Sequence, residues 1–198
     1  MRSRLFAVLA AVVVTLSACG INSIPTAEET AKAKWADVQA AYQRRANLIP
    51  NLVGTVRGAA ASEERILTEV TEARASATRI TVTPEQLSDP QAMARFAEAQ
   101  SRLTLNLQRL QEAYPQLQSQ QNFGTLMQQL EGTENRINIA IRDYNEAVRA
   151  YNTTIRTFPA VIGARIIYGS DPMVPFEATV PNADVAPTVN FDTNTSAP

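Results

Sequence analysis

Apolar residues return every three or four positions along three long stretches of this chain, a period that suits an α-helix and not a strand. The first stretch carries Trp35, Val38, Tyr42, Ile49, Leu52, Val56, Ile66, Val70, Ala73 and Ala77. The second carries Met93, Phe96, Leu103, Leu107, Leu110 and Tyr114; the third carries Phe123, Leu126, Leu130, Ile137, Ile141, Tyr144, Val148, Tyr151, Ile155 and Phe158. Each stripe is wide enough to be buried against its neighbours. The expected fold class is therefore all-α: an elongated antiparallel bundle of three to four long helices with a disordered C-terminal tail.

Local signals place the ends. Thr26-Ala27-Glu28-Glu29 reads as a capping box that opens the first helix. Its phase runs straight through Pro50, which predicts one kinked helix of some fifty residues, not a hairpin at the proline. Thr81-Val82-Thr83-Pro84 stops it. Asp89-Pro90 supplies an N-cap with proline at the first helical position of the second helix, and Pro115 closes it. A third long helix starts near Ser119 and runs to Pro159. The apolar run Val161 to Tyr168 is expected to return over one end of the bundle as a short helix or extended segment. From residue 169 the composition turns to Pro, Thr, Asn, Ala and Asp, so most of the tail to Pro198 is expected to be disordered, with Met173 to Phe176 apolar enough to dock.

The N-terminus reads as an export signal: Arg2 and Arg4, an apolar stretch from Leu5 to Leu16, then Leu16-Ser17-Ala18-Cys19, with Cys19 the single cysteine of the chain. A stretch of roughly 12 apolar residues is too short to span a bilayer. The four residues resemble the lipobox of bacterial lipoproteins, in which the thiol is alkylated with diacylglycerol and the chain is cut before the cysteine. Acyl chains such as palmitate would then hold the protein to a membrane. The expected organisation is a signal peptide over 1–18, a lipidated linker over 19–25, a helical domain over 26–168 and the tail over 169–198. Gly20 is not the aspartate that resembles an inner-membrane retention signal. The protein is thus expected to face the periplasm or the cell exterior, on the outer membrane if the cell is Gram-negative.

Composition narrows the chemistry. The chain has 18 basic and 19 acidic residues; without Arg2 and Arg4 this is 16 against 19, a net of −3 with no basic patch for nucleic acid. It contains no histidine. Ser-His-Asp, Cys-His, zinc and Glu-x-x-His di-iron arrangements therefore lack their parts, and neither cofactor nor metal is expected. Adjacent acids such as Glu63 and Glu64 diverge on a helix, so no enzyme is expected.

The candidate interaction residues are polar groups set into the stripes. Thr133 falls on the seam of the third helix within Glu131-Gly132-Thr133-Glu134-Asn135-Arg136, and Arg45 holds a seam position in the first, with Asn51 one turn and a half further on. Such groups cost free energy unless paired, so a network between helices is expected. Tyr144-Asn145 and Tyr151-Asn152 repeat at seven residues, which puts both tyrosines on one face with both asparagines beside them. They read either as core with polar tips or as the lining of a groove for a peptide or cell-wall fragment. Gly54-x-x-x-Gly58 reads as a site of close helix contact. The partners expected are the membrane, through the N-terminal lipid, and an envelope protein; homo-oligomerisation stays open.

Three blocks resemble the LemA family of bacterial envelope proteins: Arg44-Arg45-Ala46-Asn47-Leu48-Ile49-Pro50-Asn51-Leu52-Val53 with Glu72-Ala73-Arg74; Tyr114-Pro115 through Asn122-Phe123 to Leu130-Glu131-Gly132-Thr133-Glu134-Asn135-Arg136-Ile137; and Tyr144-Asn145, Tyr151-Asn152, Phe158-Pro159 with Phe176-Glu177. The resemblance covers roughly residues 27 to 178. It implies an all-helical domain held outside the cytoplasmic membrane by its N-terminus. It supplies no catalytic residues and no established biochemical role. The lipobox replaces the longer N-terminal membrane segment of the commoner family pattern.

Overall fold

A computed structural model describes residues 22–59 and 64–177. Four long helices follow one another: α1 (Ser23–Ala59), α2 (Glu64–Arg79), α3 (Pro90–Ala113) and α4 (Gln121–Thr154). Short 3₁₀ turns at Pro84–Gln86 and Pro115–Ser119 join them, and a small α5 (Ala160–Gly163) with a π-turn at Ala164–Tyr168 follows α4. No strand occurs among the described residues.

The helices alternate in direction. Lys34 and Arg45 of α1 reach Asp143 and Glu134 of α4, so these two run antiparallel along their whole length. Gln100 of α3 bonds the Ala77 carbonyl of α2, and Asn106 bonds that of Glu69, which makes the second pair antiparallel as well. At about 1.5 Å per residue the 37 residues of α1 span about 55 Å.

The first helix ends earlier than its apolar phase suggests. Arg74 and Val82 lie against Ala46 and Trp35, so the chain has reversed between α1 and α2, and the expected fifty-residue helix is two antiparallel helices. Periodicity cannot see this, because a hairpin that keeps both stripes on one seam has the same spacing as a continuous helix. The capping box is also corrected: α1 starts at Ser23, and the Thr26 hydroxyl donates to the Asn22 carbonyl from inside the helix. Pro25, in the first turn, lacks only an amide that would have had no helical partner. Gly54 and Gly58 face solvent, and a Cβ added to either would meet nothing within 4 Å; they make no close helix contact.

The passage through Pro50 is as expected, and its cost is covered from α2. A proline cannot donate to the carbonyl four residues back, which leaves the Ala46 oxygen without its helical partner. Arg74 Nε donates to that oxygen at 2.8 Å. The same side chain thus repairs the helix and ties α2 to α1.

The other boundaries follow their signals. Asp89 accepts from the Gln91 amide at 2.8 Å with Pro90 in the first turn of α3. Tyr114 and Pro115 end that helix. α4 runs from Gln121 to Thr154, inside the expected span. The Val161 to Tyr168 run does form a short helical cap. Gly169, at φ 57°, then takes the left-handed conformation that lets the chain turn back, with the Ser170 amide bonded to the Ala164 carbonyl at 2.9 Å.

The tail docks from its first residues. Met173 and Phe176 are buried, so the bundle includes residues beyond the 168 boundary expected for it. The expected disorder beyond residue 177, like the signal peptide, Cys19 and Glu63, falls outside the described residues.

A double-mutant comparison checks the proline repair. Arg74→Ala should cost about 1.5–3 kcal/mol in chemical denaturation, as expected for a charged donor to a part-buried carbonyl. In a Pro50→Ala background, where an amide returns to the Ala46 oxygen, that cost should fall by about half or more.

Candidate functional site

The buried apolar residues form two clusters, one around Trp35, Tyr42, Phe96 and Tyr144 and one around Leu52, Leu67, Leu103 and Phe123. Between them in sequence on α1, α3 and α4 lies a polar layer. Arg45 is its centre: Nη1 donates to Glu134 Oε2 and Thr104 Oγ1, each at 3.0 Å, and Nη2 donates to Gln100 Oε1 at 3.0 Å and to the Gln100 carbonyl at 3.3 Å. Gln100 Nε2 passes on to the Ala77 carbonyl at 3.2 Å. One guanidinium thereby gathers acceptors on α3 and α4 and, through Gln100, on α2.

The Arg45 side chain is 3% exposed and that of Glu134 is 47% exposed, so the ion pair joins a buried charge to a half-solvated one. The Tyr42 ring covers the guanidinium at 5.0 Å. Burial pushes the Tyr42 hydroxyl up to about 12, against the opposing pull of the Arg45 charge. Arg45 Nε is buried with no hydrogen-bond partner among the described residues. A pocket of about 280 Å³ opens beside the layer, lined by Gln39, Tyr42, Ala77, Phe96 and Gln100 among others.

The other members of the polar cluster are not brought to Arg45. Thr133 is buried, but its hydroxyl donates to the Leu130 carbonyl of its own helix at 2.7 Å. Glu131, Asn135 and Arg136 are exposed on the outer side of α4, and Asn51 on that of α1. Sequence reading missed Gln100 and Thr104, both on α3; a glutamine inside the stripe between Phe96 and Leu103 was the available signal.

The Tyr-Asn pairs do come together, around the chain's own C-terminal segment. Asn145 Nδ2 donates to the Phe176 carbonyl at 2.9 Å while its Oδ1 accepts from the Phe176 amide at 2.8 Å. Asn152 treats Met173 the same way, at 2.8 and 2.9 Å. The hydroxyls of Tyr144 and Tyr151 donate to the carbonyls of Val174 and Asp171, at 2.9 and 3.2 Å. A carboxamide presents one donor and one acceptor side by side, which is what the N–H and C=O of a single extended residue require. The two asparagines, two turns of helix apart, pair with Met173 and Phe176 in this way. Val174 adds a bond from its amide to the Leu87 carbonyl at 2.8 Å.

Phe176 anchors the segment. Its ring lies 5.8 Å from Trp35, 5.9 Å from Phe96 and 6.2 Å from Tyr42, within an aromatic cluster that Tyr144 joins at 5.1 Å from Trp35. Trp35 Nε1 and Gln39 Nε2 both donate to the Val82 carbonyl at 2.9 Å, fixing the α2–α3 connector against α1. Burial alone raises the Tyr144 hydroxyl above the usual tyrosine range. A shallow depression of about 470 Å³ remains beside the clamp, lined by Asn145, Asn152, Arg156 and Glu177.

A family model described as the LemA family matches residues 34–191. The chain belongs to the LemA family. The match takes in the Arg45 layer, the Pro50 and Arg74 pair, and the Tyr-Asn clamp with the segment it holds. A search of curated proteins finds no match. Among the described residues this LemA protein has no group of three or more Cys, Asp or Glu placed to hold a metal ion, and no helix long and apolar enough to cross a membrane.

Two substitutions separate the buried from the solvated half of the polar layer. Gln100→Leu, which takes the Oε1 acceptor from the buried guanidinium and the Nε2 donor from the Ala77 carbonyl while keeping the backbone carbonyl of residue 100, should cost about 2–4 kcal/mol in urea denaturation; Glu134→Gln, at the exposed rim, about 1 kcal/mol. For the clamp, Phe176→Ala should cost about 3–5 kcal/mol and release the C-terminal segment, seen as faster proteolysis after Tyr168 than after residues within α4.

Proposed function

We propose that this LemA protein is a non-enzymatic envelope lipoprotein, held to a membrane by acyl chains on Cys19, whose bundle presents a long helical surface to a protein partner in the envelope. Family membership supports the envelope association. The observation that carries the rest is where the candidate polar side chains point. Arg45, Thr133, Tyr144, Asn145, Tyr151 and Asn152 are engaged with the chain's own backbone and core, so they act as architecture. Glu131, Asn135 and Arg136 on α4, with Asn51 on α1, remain on the outer faces and are the residues of the set that a partner can reach.

A groove for a peptide or cell-wall fragment at the Tyr-Asn pairs is the second reading. The clamp supports the idea that this face recognises extended backbone, but residues 171–176 already occupy it. An incoming ligand would have to draw Phe176 out of an aromatic core. That favours the scaffold reading.

Photo-crosslinkers at Glu131 and Arg136, installed in the full chain in its native membrane, should yield one discrete protein adduct that is lost when a crosslinker is moved to Gln108. Adducts with lipid alone would reject the reading. Mass spectrometry of the same material should find Cys19 acylated and N-terminal. Titration with peptidoglycan fragments should be flat; saturable binding abolished by Asn152→Ala in a folded protein would reinstate the groove.

A further inference from the structure

Seven large hydrophobic side chains are exposed among the described residues, and five of them, Phe158, Ile162, Ile166, Ile167 and Tyr168, fall in the cap that follows α4. Phe158 is 80% exposed, Ile166 79% and Ile167 61%, values suited to an apolar medium and not to water. The cap's own small residues, Ala160, Gly163 and Ala164, are buried, and Ala160 and Ala164 belong to the same core cluster as Ile24 and Ile155. Bulky groups therefore point out while small ones point in, the reverse of what a cap built only to close a core needs.

The position of the cap says what covers it. The chain leaves α4 after Thr154 and is back beside Tyr151 by Asp171, so everything between forms the tip of the bundle at the end of α4. Because α1 and α4 are antiparallel, this is the end at which α1 starts. Ser23 opens that helix, four Cα steps after Cys19, or about 14 Å at most. A lipid on Cys19 would thus bring the bilayer within reach of this apolar tip.

We infer that this tip is a membrane-contact surface: Phe158, Ile162, Ile166 and Ile167 enter the interfacial layer of the bilayer that holds the N-terminal lipid, with Tyr168, Arg156 and Arg165 at the level of the headgroups. The inference rests on the anchor proposed above. Tyrosine and arginine are suited to that depth, where an apolar body and a polar or charged tip meet different media. Of the acids at this end, Glu28 and Glu29 are tied to Lys32 at 2.8 and 3.0 Å, and Asp171 is exposed at the side where the segment turns back along α4. Glu177 lines the depression that Arg156 borders, but Arg156 and Arg165 are both exposed and neither is in an ion pair among the described residues, so both can face anionic phosphates. Contact at the tip makes the rod stand upright on the membrane, which a tether alone does not.

The test uses the full-length protein purified from membranes and reconstituted into vesicles of phosphatidylethanolamine, phosphatidylglycerol and phosphatidylcholine brominated in its acyl chains. Ile166→Trp should add emission that is blue-shifted and quenched at least about twofold. Glu112→Trp, at the far end of the bundle, should be unquenched, and the wild type gives the Trp35 background. In the wild type, trypsin should cut after Arg165 more slowly on vesicles than in detergent. If the protein is acylated and vesicle-bound but Ile166→Trp stays unquenched and Arg165 is cut equally fast, the tip inference is overturned while the anchor stands. If Cys19 is unmodified and Ile166→Trp is still quenched, the anchor reading fails while the tip stands. Failure to bind vesicles at all overturns both.

Discussion

A guanidinium cannot lie in a helical core without acceptors, and the structure is arranged around meeting that demand for Arg45. Leaving it unpaired would cost several kcal/mol, more than most single contacts return. The acceptors come from α3 and α4, with α2 reached through Gln100, so the charge is satisfied only when all four helices are in one register. Apolar stripes alone would tolerate a slip of one turn, since a leucine layer packs on almost any neighbour. The polar layer removes that freedom and separates a cluster rich in aromatic rings from a mainly aliphatic one.

The second constraint is an incomplete core. On the aromatic side, four helices leave space among Trp35, Tyr42 and Phe96 that Phe176 fills from outside the bundle. An extended segment lying along a helix has no ladder for its amides and carbonyls, so its backbone groups need other partners. Asn145 and Asn152 supply both donor and acceptor, and the tyrosine hydroxyls supply two further donors. Burying one aromatic ring and satisfying the backbone of four residues, Asp171, Met173, Val174 and Phe176, are thus one device. It turns the start of a tail into the closing element of the domain.

The helices, their caps at Asp89 and Pro115 and the seam residues could be read from spacing, because 3.6-residue periodicity and capping are local properties. The reversal after α1 could not, since its two arms keep the same stripe. Nor could the fate of Gly54 and Gly58: small residues permit close approach but do not require it. Pro50 announced a missing amide, while its repair by Arg74 depends on a helix that returns alongside. Arg45 was visible as a charge needing partners; that Gln100 and Thr104 are those partners depended on the crossing of α1 and α3.

By itself, then, the amino-acid order determined that the chain is helical, where most helices stop, and that Arg45 and the Tyr-Asn repeat require polar company. Those follow from side-chain periodicity and from the cost of burying polar groups, both carried by each residue wherever it goes. Only the tertiary structure decided which company each keeps: Glu134 and Gln100 for the guanidinium, and the chain's own Met173 and Phe176 for the asparagines. The physical reason is that hydrogen bonding is directional and short-ranged. A residue type declares the need, and only the packing of distant segments brings a partner to within 3 Å.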